Sequence, residues 1–360
     1  MKVAIVGASL GGLAAANALH KLGATVKVFE KFPAEFSQRG AVLGFVDVGM
    51  WEELLGKRMM RRGRRAVRAQ GAFYYGDLWR FLYSGLPEGT VAFGRPVAGL
   101  GDDVYRPTID GETYDLAILA DGGWSKLRRY VTDTQPEYAG YVCWRGKIDA
   151  NDYGSFNDFG IVKNGFFDTI VLQMSKDDGT DVLMGGVFVA TPAAEVVRPS
   201  DGASRHVDED AEAHAGCGAG LPEWFLPFYR QQFGDHAGGA LVRLFEAFAS
   251  RGELTPQPQY DYAADKVSNG RVVLVGDAAH MASPRTAAGA HTAVLDALAL
   301  HEAFLAGGTV DEKLAAYSCD AVRRARELYA RSLDVRRQFL PRGGLTTVQS
   351  PSTLVAVQAQ

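Results

Sequence analysis

Cysteine is scarce in this chain, basic charge is not in excess, and no apolar run is long enough to cross a membrane. The three cysteines, Cys143, Cys217 and Cys319, are too few and too widely spaced for a disulfide framework, and no CxxC pair offers a metal site. Such usage fits a reducing, cytoplasmic compartment. The opening stretch "MKVAIVGASLGGL" is apolar, but glycines interrupt it after a few residues, so it reads neither as a signal peptide nor as a membrane span. With 38 Lys and Arg against 42 Asp and Glu, the formal net charge is -4, which leaves no surplus of cations to neutralise a nucleic-acid backbone. What remains is a chain of 360 residues, 47% hydrophobic, long enough for two domains or one large one around a substantial core.

Glycine, in contrast, recurs where apolar runs end. In "KVAIVGASLGGLAAANALHKLGATVKVFEK", Lys2 to Val6 reads as a strand, Leu13 to Leu22 as a helix and Thr25 to Glu30 as a second strand. Gly7, Ser9 and Gly12 fall on the three positions of GxGxxG, with serine in place of the second glycine. Gly7 permits the tight turn, a small residue at 9 lets the backbone approach a pyrophosphate, and Gly12 lets helix pack closely on strand. Phosphate would sit at the positive end of that helix. Glu30, at the end of the second strand, is placed to accept hydrogen bonds from an adenosine ribose, which suits NAD or FAD better than NADP. A purely structural glycine turn would leave Glu30 unexplained.

Two further strand ends discriminate between dinucleotides. "YDLAILADGGWSKLRR" is an apolar strand ending in Asp121-Gly122, and "VVLVGDAAH" is another ending in Gly276-Asp277. A plain NAD dehydrogenase needs only the first glycine turn. The longer flavin dinucleotide needs more, so the three turns together favour FAD.

The set GASLGG with Glu30, ADGGWSKLR (Ala120 to Arg128) and GDAAHMASPRTAAGA (Gly276 to Ala290) resembles the group A flavoprotein monooxygenases, the para-hydroxybenzoate hydroxylase superfamily. "YAGYVCWRG" (Tyr138 to Gly146) is most similar to the 2,6-dihydroxypyridine 3-monooxygenase branch, and the resemblance runs from Met1 to about Gln338. It implies an α/β fold: a Rossmann-like FAD-binding domain of the glutathione reductase type, an inserted antiparallel-sheet substrate domain, and C-terminal helices. The expected boundaries are 1–137 and 260–336 for the FAD domain, 138–259 for the insert and 337–360 for a tail. The strand-like "TIVLQMS" and "DVLMGGVFVA", with the helical "PEWFLPFYRQQF" and "ALVRLFEAF", fit the insert, whereas Pro199 to Gly220 reads as an exposed loop.

By resemblance, Gly7, Ser9, Leu10, Gly11 and Gly12 with Glu30, Lys31 and Arg39 serve the adenosine and pyrophosphate end of FAD. Gly276 and Asp277 serve its ribityl chain, and Pro284, Gly289, Ala290 and His291 pass beside the isoalloxazine ring, where a helix N-terminus stabilises negative charge on reduced flavin. Asp121 and Gly122 serve the region where NADPH or NADH reduces the flavin, with Arg128 supporting that loop. The implied activity is hydroxylation of a small hydroxylated aromatic or N-heteroaromatic substrate by O2, through a C4a-hydroperoxyflavin. The alternatives are a flavoprotein acting on a non-aromatic natural product and a flavin-binding scaffold that does not hydroxylate.

The candidate catalytic residues are His280, Tyr141 and Arg145. His280 is a general base or a packing residue, Tyr141 a partner for a substrate hydroxyl, and Trp144 with Arg145 a core pair or a substrate contact. Cys143 reads as a small core residue. His280, His291 and His301 lack metal-ligand spacing, so no metal is expected. The interval between Glu30 and Leu78 is shorter than the family's, and it holds "GKRMMRRGRRAVR" where relatives place substrate-side strands and a flavin-contacting arginine. Lys57, Arg58, Arg61, Arg62, Arg64, Arg65 and Arg68 there are a phosphate site for NADPH or a solvated basic face. The expected assembly is a monomer or a homodimer.

Overall fold

The computed structural model describes residues 1–33, 42–43, 47–59, 73–150, 160–164, 167–175, 181–190, 225–233 and 239–339. Arg39, the arginines from 61 to 68, the loop expected at 199–220 and the tail beyond 339 lie outside them.

The chain opens with β1 (Lys2–Val6), α1 (Leu10–His20) and β2 (Thr25–Phe29). There follow β3 (Val42–Leu43), α2 (Val48–Leu55), β4 (Phe73–Tyr74), α3 (Tyr75–Tyr83) and β5 (Val91–Ala92). The short hairpin β6 (Thr108–Ile109) and β7 (Glu112–Thr113) leads into β8 (Leu116–Leu119). Next come β9 (Glu137–Asp149), β10 (Gly160–Asn164), β11 (Phe167–Ser175), β12 (Asp181–Ala190), α4 (Phe225–Phe233) and α5 (Ala240–Ser250). The last elements are β13 (Thr255–Ala263), β14 (Ser268–Asn269), β15 (Val272–Leu274), β16 (His280–Met281), α6 (Gly289–Leu305) and α7 (Val310–Phe339).

Two six-stranded sheets organise these elements. The first runs β14-β15-β8-β1-β2-β5, parallel except for β14 at its edge. Helices cover it, so β8 and, after Lys2, β1 are apolar and buried at every position. The second runs β10-β11-β12-β9-β13-β16 and is antiparallel throughout. Its alternation separates two faces of β9. Val142 and Trp144 pack with Leu244, Phe245 and Phe248 of α5, whereas Ala139, Tyr141 and Cys143 join Phe188 on the opposite face.

The two sheets meet through the segment that carries the third motif. β15 belongs to the parallel sheet, and β16, six residues beyond it, pairs with Tyr262 and Ala263 at the end of the antiparallel one. The boundary expected at 260 therefore falls inside β13. β13 lies wholly in the antiparallel sheet, and the next strand, β14, belongs to the parallel one.

Candidate functional site

The glycine turns come together at one end of the parallel sheet. Gly7 has φ +102, and a Cβ on it would lie 2.8 Å from the Ala120 carbonyl carbon; a Cβ on Gly12 would overlap the Gly7 carbonyl oxygen. Gly11 packs on the third turn: a Cβ there would lie 3.6 Å from the Gly276 Cα and 3.5 Å from Ala293 Cβ. Three sequence-distant turns thus touch through backbone. Arg128, almost wholly buried, clamps two of them: its Nε donates to the Ala278 carbonyl at 3.0 Å and Nη2 to the Gly123 carbonyl at 2.8 Å, and it lies over the Tyr262 ring at 4.2 Å. Burial depresses the guanidinium pKa, and the nearby Tyr262, Asp121 and Asp277 oppose that shift.

Ser9 is of the residue type favoured at a helix N-cap, yet its hydroxyl pairs with Tyr75 Oη at 2.8 Å and makes no bond to α1. No acidic side chain lies in the first turn of α1, and the same holds for α6, whose N-cap is Ala288. Both helices therefore present a positive end without a side-chain cap of their own. Glu30 is buried, with Oε2 accepting from the Ala8 amide at 2.8 Å and Oε1 from the Phe32 amide at 3.0 Å. An ionised carboxylate has about four lone-pair sites, so Glu30 braces the turn with acceptor capacity to spare. Asp277 is exposed between buried Gly276 and Ala278. Asp121 Oδ1 is buried and accepts no hydrogen bond, and burial raises the carboxyl's pKa against the opposing Ser125 and Arg128.

These features fit an extended dinucleotide. Two helix N-termini suit a pyrophosphate and an electron-accepting ring, Glu30 and Asp277 suit polyol hydroxyls, and the glycines leave room for close backbone approach. Leu10 is buried in the core, and Lys31 is exposed with its ammonium 5.1 Å from the Phe32 ring centroid. Pro284 is exposed, while Gly289, Ala290 and His291 are half-buried in the first turn of α6.

The catalytic candidates separate. His280 is sealed in the core, with Nε2 2.8 Å from Asp296 Oδ2. Burial alone favours a neutral ring, but the charge and hydrogen bond of Asp296, with Asp277, raise the pKa. Its burial, with Nε2 taken up by Asp296, supports the packing reading of His280 over the general-base one. Trp144 packs on the face under α5, as its core reading has it. Arg145 is half-buried, two residues beyond Cys143 along the strand and therefore on the same face of β9. Tyr141 is buried on that face, and its hydroxyl donates to Ser283 Oγ at 2.5 Å; burial pushes its pKa up. Burial also holds the Cys143 thiol at about 12, so it is not a nucleophile at neutral pH. Arg285 lies 5.9 Å from the Phe188 ring centroid, beside Tyr141. His301 Nδ1 meets the Ala18 carbonyl at 2.9 Å, and among the described residues no His, Cys, Asp or Glu cluster could hold a metal.

Several participants carried no motif. Trp79 Nε1 donates to the Ala8 carbonyl at 2.7 Å, so α3 grips the glycine turn through Trp79 and Tyr75. The Ser283 amide donates to Ser332 Oγ at 2.7 Å, and Ser332 donates to Asp261. Asp296 is fully buried, and its sequence signal is a lone acid within the apolar "AVLDALAL". Lys57 of the basic run is exposed, donates to Ser84 Oγ at 2.6 Å and lies 5.4 Å from the Phe81 ring centroid.

A family model described as an FAD binding domain matches residues 248–332, which contain the third turn, α6 and most of α7. The 3-amino-4-hydroxybenzoate 2-monooxygenase of Streptomyces cremeus is 28% identical, covering 95% of this chain and 89% of its own length. The 2,6-dihydroxypyridine 3-monooxygenase of Paenarthrobacter nicotinovorans is 26% identical, covering 84% of this chain and 82% of its own. In structure, 2,6-dihydroxypyridine-3-hydroxylase from Arthrobacter nicotinovorans superposes with a TM-score of 0.70 at 20% identity, covering 98% of this chain and 95% of that one. The parallel-sheet core with its antiparallel-sheet partner is therefore a shared fold. By sequence the chain is related, over nearly its whole length, to monooxygenases.

Proposed function

We propose that the chain is an FAD-dependent monooxygenase that uses NADPH or NADH and O2 to hydroxylate a small hydroxylated aromatic or N-heteroaromatic ring. The observation that carries this reading is the convergence of three glycine-bearing strand ends with two helix N-termini that lack side-chain caps. The relatives named above, which act on an aminohydroxybenzoate and a dihydroxypyridine, supply the substrate class. When bound, FAD supplies the redox chemistry and the activation of O2.

The protein's part is binding, orientation and exclusion of water. In this reading Glu30 accepts the ribose hydroxyls, the first amides of α1 hold the pyrophosphate, and Asp277 accepts from the ribityl chain. The first amides of α6, from Gly289 to His291, face the pyrimidine edge of the ring system. Asp121 offers its spare acceptor where the nicotinamide reductant approaches. Substrate lies on the face of the antiparallel sheet that carries Tyr141 and Cys143, opposite Ser283 and Arg285. Tyr141 donates its proton to Ser283, so toward a substrate it acts as an acceptor and suits a phenolic O–H or a ring N–H.

The test is a visible spectrum of the purified protein, followed by NADPH and NADH oxidation with 2,6-dihydroxypyridine, 3-amino-4-hydroxybenzoate and simple phenols. A yellow protein whose reductant consumption rises with one of these, giving a product heavier by one oxygen, is expected. A yellow protein stimulated only by a polyketide, or by no ligand, would favour the natural-product or scaffold readings. A colourless protein that FAD cannot reconstitute would overturn the flavin assignment.

A further inference from the structure

Asp296 has no place in the assignments above, yet its carboxylate joins three segments around the third turn. Oδ2 accepts from the Gly276 amide at 3.0 Å and is 2.8 Å from His280 Nε2, while Oδ1 accepts from Arg324 Nη2 at 3.1 Å. Gly276 and His280 are the two ends of the short segment that follows β15 and leads into β16. Asp277, the exposed carboxylate of the turn, lies between them. The third contact ties the same hub to α7. Gly276 itself has φ +59, and a Cβ on it would lie 3.4 Å from Ala293 Cβ and 3.8 Å from Gly11 Cα. Displacing its amide would therefore disturb the contact between the first and third glycine turns as well.

We propose that Asp296 is the positioning residue of the flavin-binding turn: it fixes both ends of Gly276–His280 and so sets where Asp277 and the N-terminus of α6 meet the cofactor. The proposal rests on the flavin reading above. His280 acts through Asp296, because its other ring nitrogen, Nδ1, is buried and makes no hydrogen bond. Arg324 sets its guanidinium against this fully buried carboxylate, and it also lies 3.9 Å from Asp320 on its own helix. The hub is then a carboxylate held by the Arg324 guanidinium, the His280 imidazole and the Gly276 amide.

The experiment compares FAD dissociation constants, by fluorescence quenching, for wild type, Asp296→Asn, His280→Gln and the double variant. Leu300→Ala, a cavity on the same helix at another fully buried position, controls for general destabilisation, with apoprotein melting recorded for each. Asp296→Asn is expected to weaken FAD binding at least tenfold relative to Leu300→Ala and to alter the visible circular dichroism of the bound flavin, which Leu300→Ala leaves unchanged. His280→Gln should weaken binding by a smaller factor, and the double variant should bind no worse than Asp296→Asn alone. Binding by Asp296→Asn within twofold of the Leu300→Ala control, or full additivity in the double variant, would overturn the proposal. If Asp296→Asn gives no soluble protein, His280→Gln against Leu300→Ala decides by the same criterion. Failure of wild type to bind FAD would instead overturn the flavin reading itself.

Discussion

The two sheets use glycine in opposite ways. At the end of the parallel sheet, Gly7 and Gly12 are required because backbone meets backbone: added methyls would strike the Ala120 and Gly7 carbonyls, which cannot move without the strands. In the antiparallel sheet, Gly146 of β9 and Gly185 of β12 are required because a side chain fills the space. The ring of Phe248 on α5 lies where their Cβ atoms would be, 2.6 Å and 2.7 Å from its nearer δ and ε carbons. The first kind of glycine builds a surface that a ligand can approach, and the second seats a helix on a sheet. A glycine-rich sequence alone does not distinguish them.

The largest expected effect breaks the first kind. Gly12→Ala should cost about 4 kcal/mol or more, since a rigid carbonyl cannot yield, and the protein should be recovered in inclusion bodies or without flavin. Gly146→Ala is expected to cost less, about 1–3 kcal/mol as an overpacked core, with FAD affinity of the folded protein unchanged. Chemical denaturation and flavin titration separate the two. Pairing Gly146→Ala with Phe248→Leu sharpens the comparison: the double variant should be more stable than the sum of the singles predicts. Strict additivity there would mean that Phe248 is not what keeps residue 146 small.

The same contrast marks what could be read from the sequence. The parallel sheet was legible because local signals agree: β-branched runs, glycines at strand ends, and an acid at the end of β2. The helices and strands of the insert also followed from periodicity. Contacts made across sequence were not legible. Ser9 resembles an N-cap but bonds Tyr75, and Trp79 meets the Ala8 carbonyl from 71 residues away. Asp296 shows only as an acid in an apolar helix, and nothing local tells that it binds Gly276 and His280. Trp144 and Arg145 are adjacent in a strand and so point to opposite faces, but which face carries the helices depends on α5.

A pH series tests the contrast more gently. The folded-state pKa of His280 is raised above its ordinary value of about 6.5, against burial, by Asp296 and Asp277 and despite Arg324. The proton therefore binds more tightly in the folded state. That stabilisation is fully present below the unfolded pKa and is lost as pH rises through the folded one. The urea midpoint of the wild type should fall as pH is raised above about 6.5, and His280→Gln should remove that dependence. Parallel slopes in both proteins would show that His280 does not titrate with folding. On the face of β9 that carries Tyr141, Cys143 at about 12 contributes nothing in this range.

The smallest effect concerns Ala287, where the loop from Ser283 enters α6. It adopts φ 50 and ψ 19, a left-handed conformation that costs a residue with a Cβ about 1 kcal/mol more than glycine. The neighbouring bonds hold it there: the Ala287 amide donates to the Pro284 carbonyl at 3.0 Å, and the Ala288 amide to Thr286 Oγ1 at 3.3 Å. Ala287→Gly should relieve the strain and raise the melting temperature by about a degree or two. Glycine also frees the loop, so the two properties can part. If FAD binding and coupling of reductant to product weaken while stability rises, the alanine fixes the start of α6 against the cofactor, as strain at a functional site does. Were stability to rise with affinity and coupling unchanged, the strained alanine would belong with the packing glycines of the other sheet, as a residue that serves the fold alone.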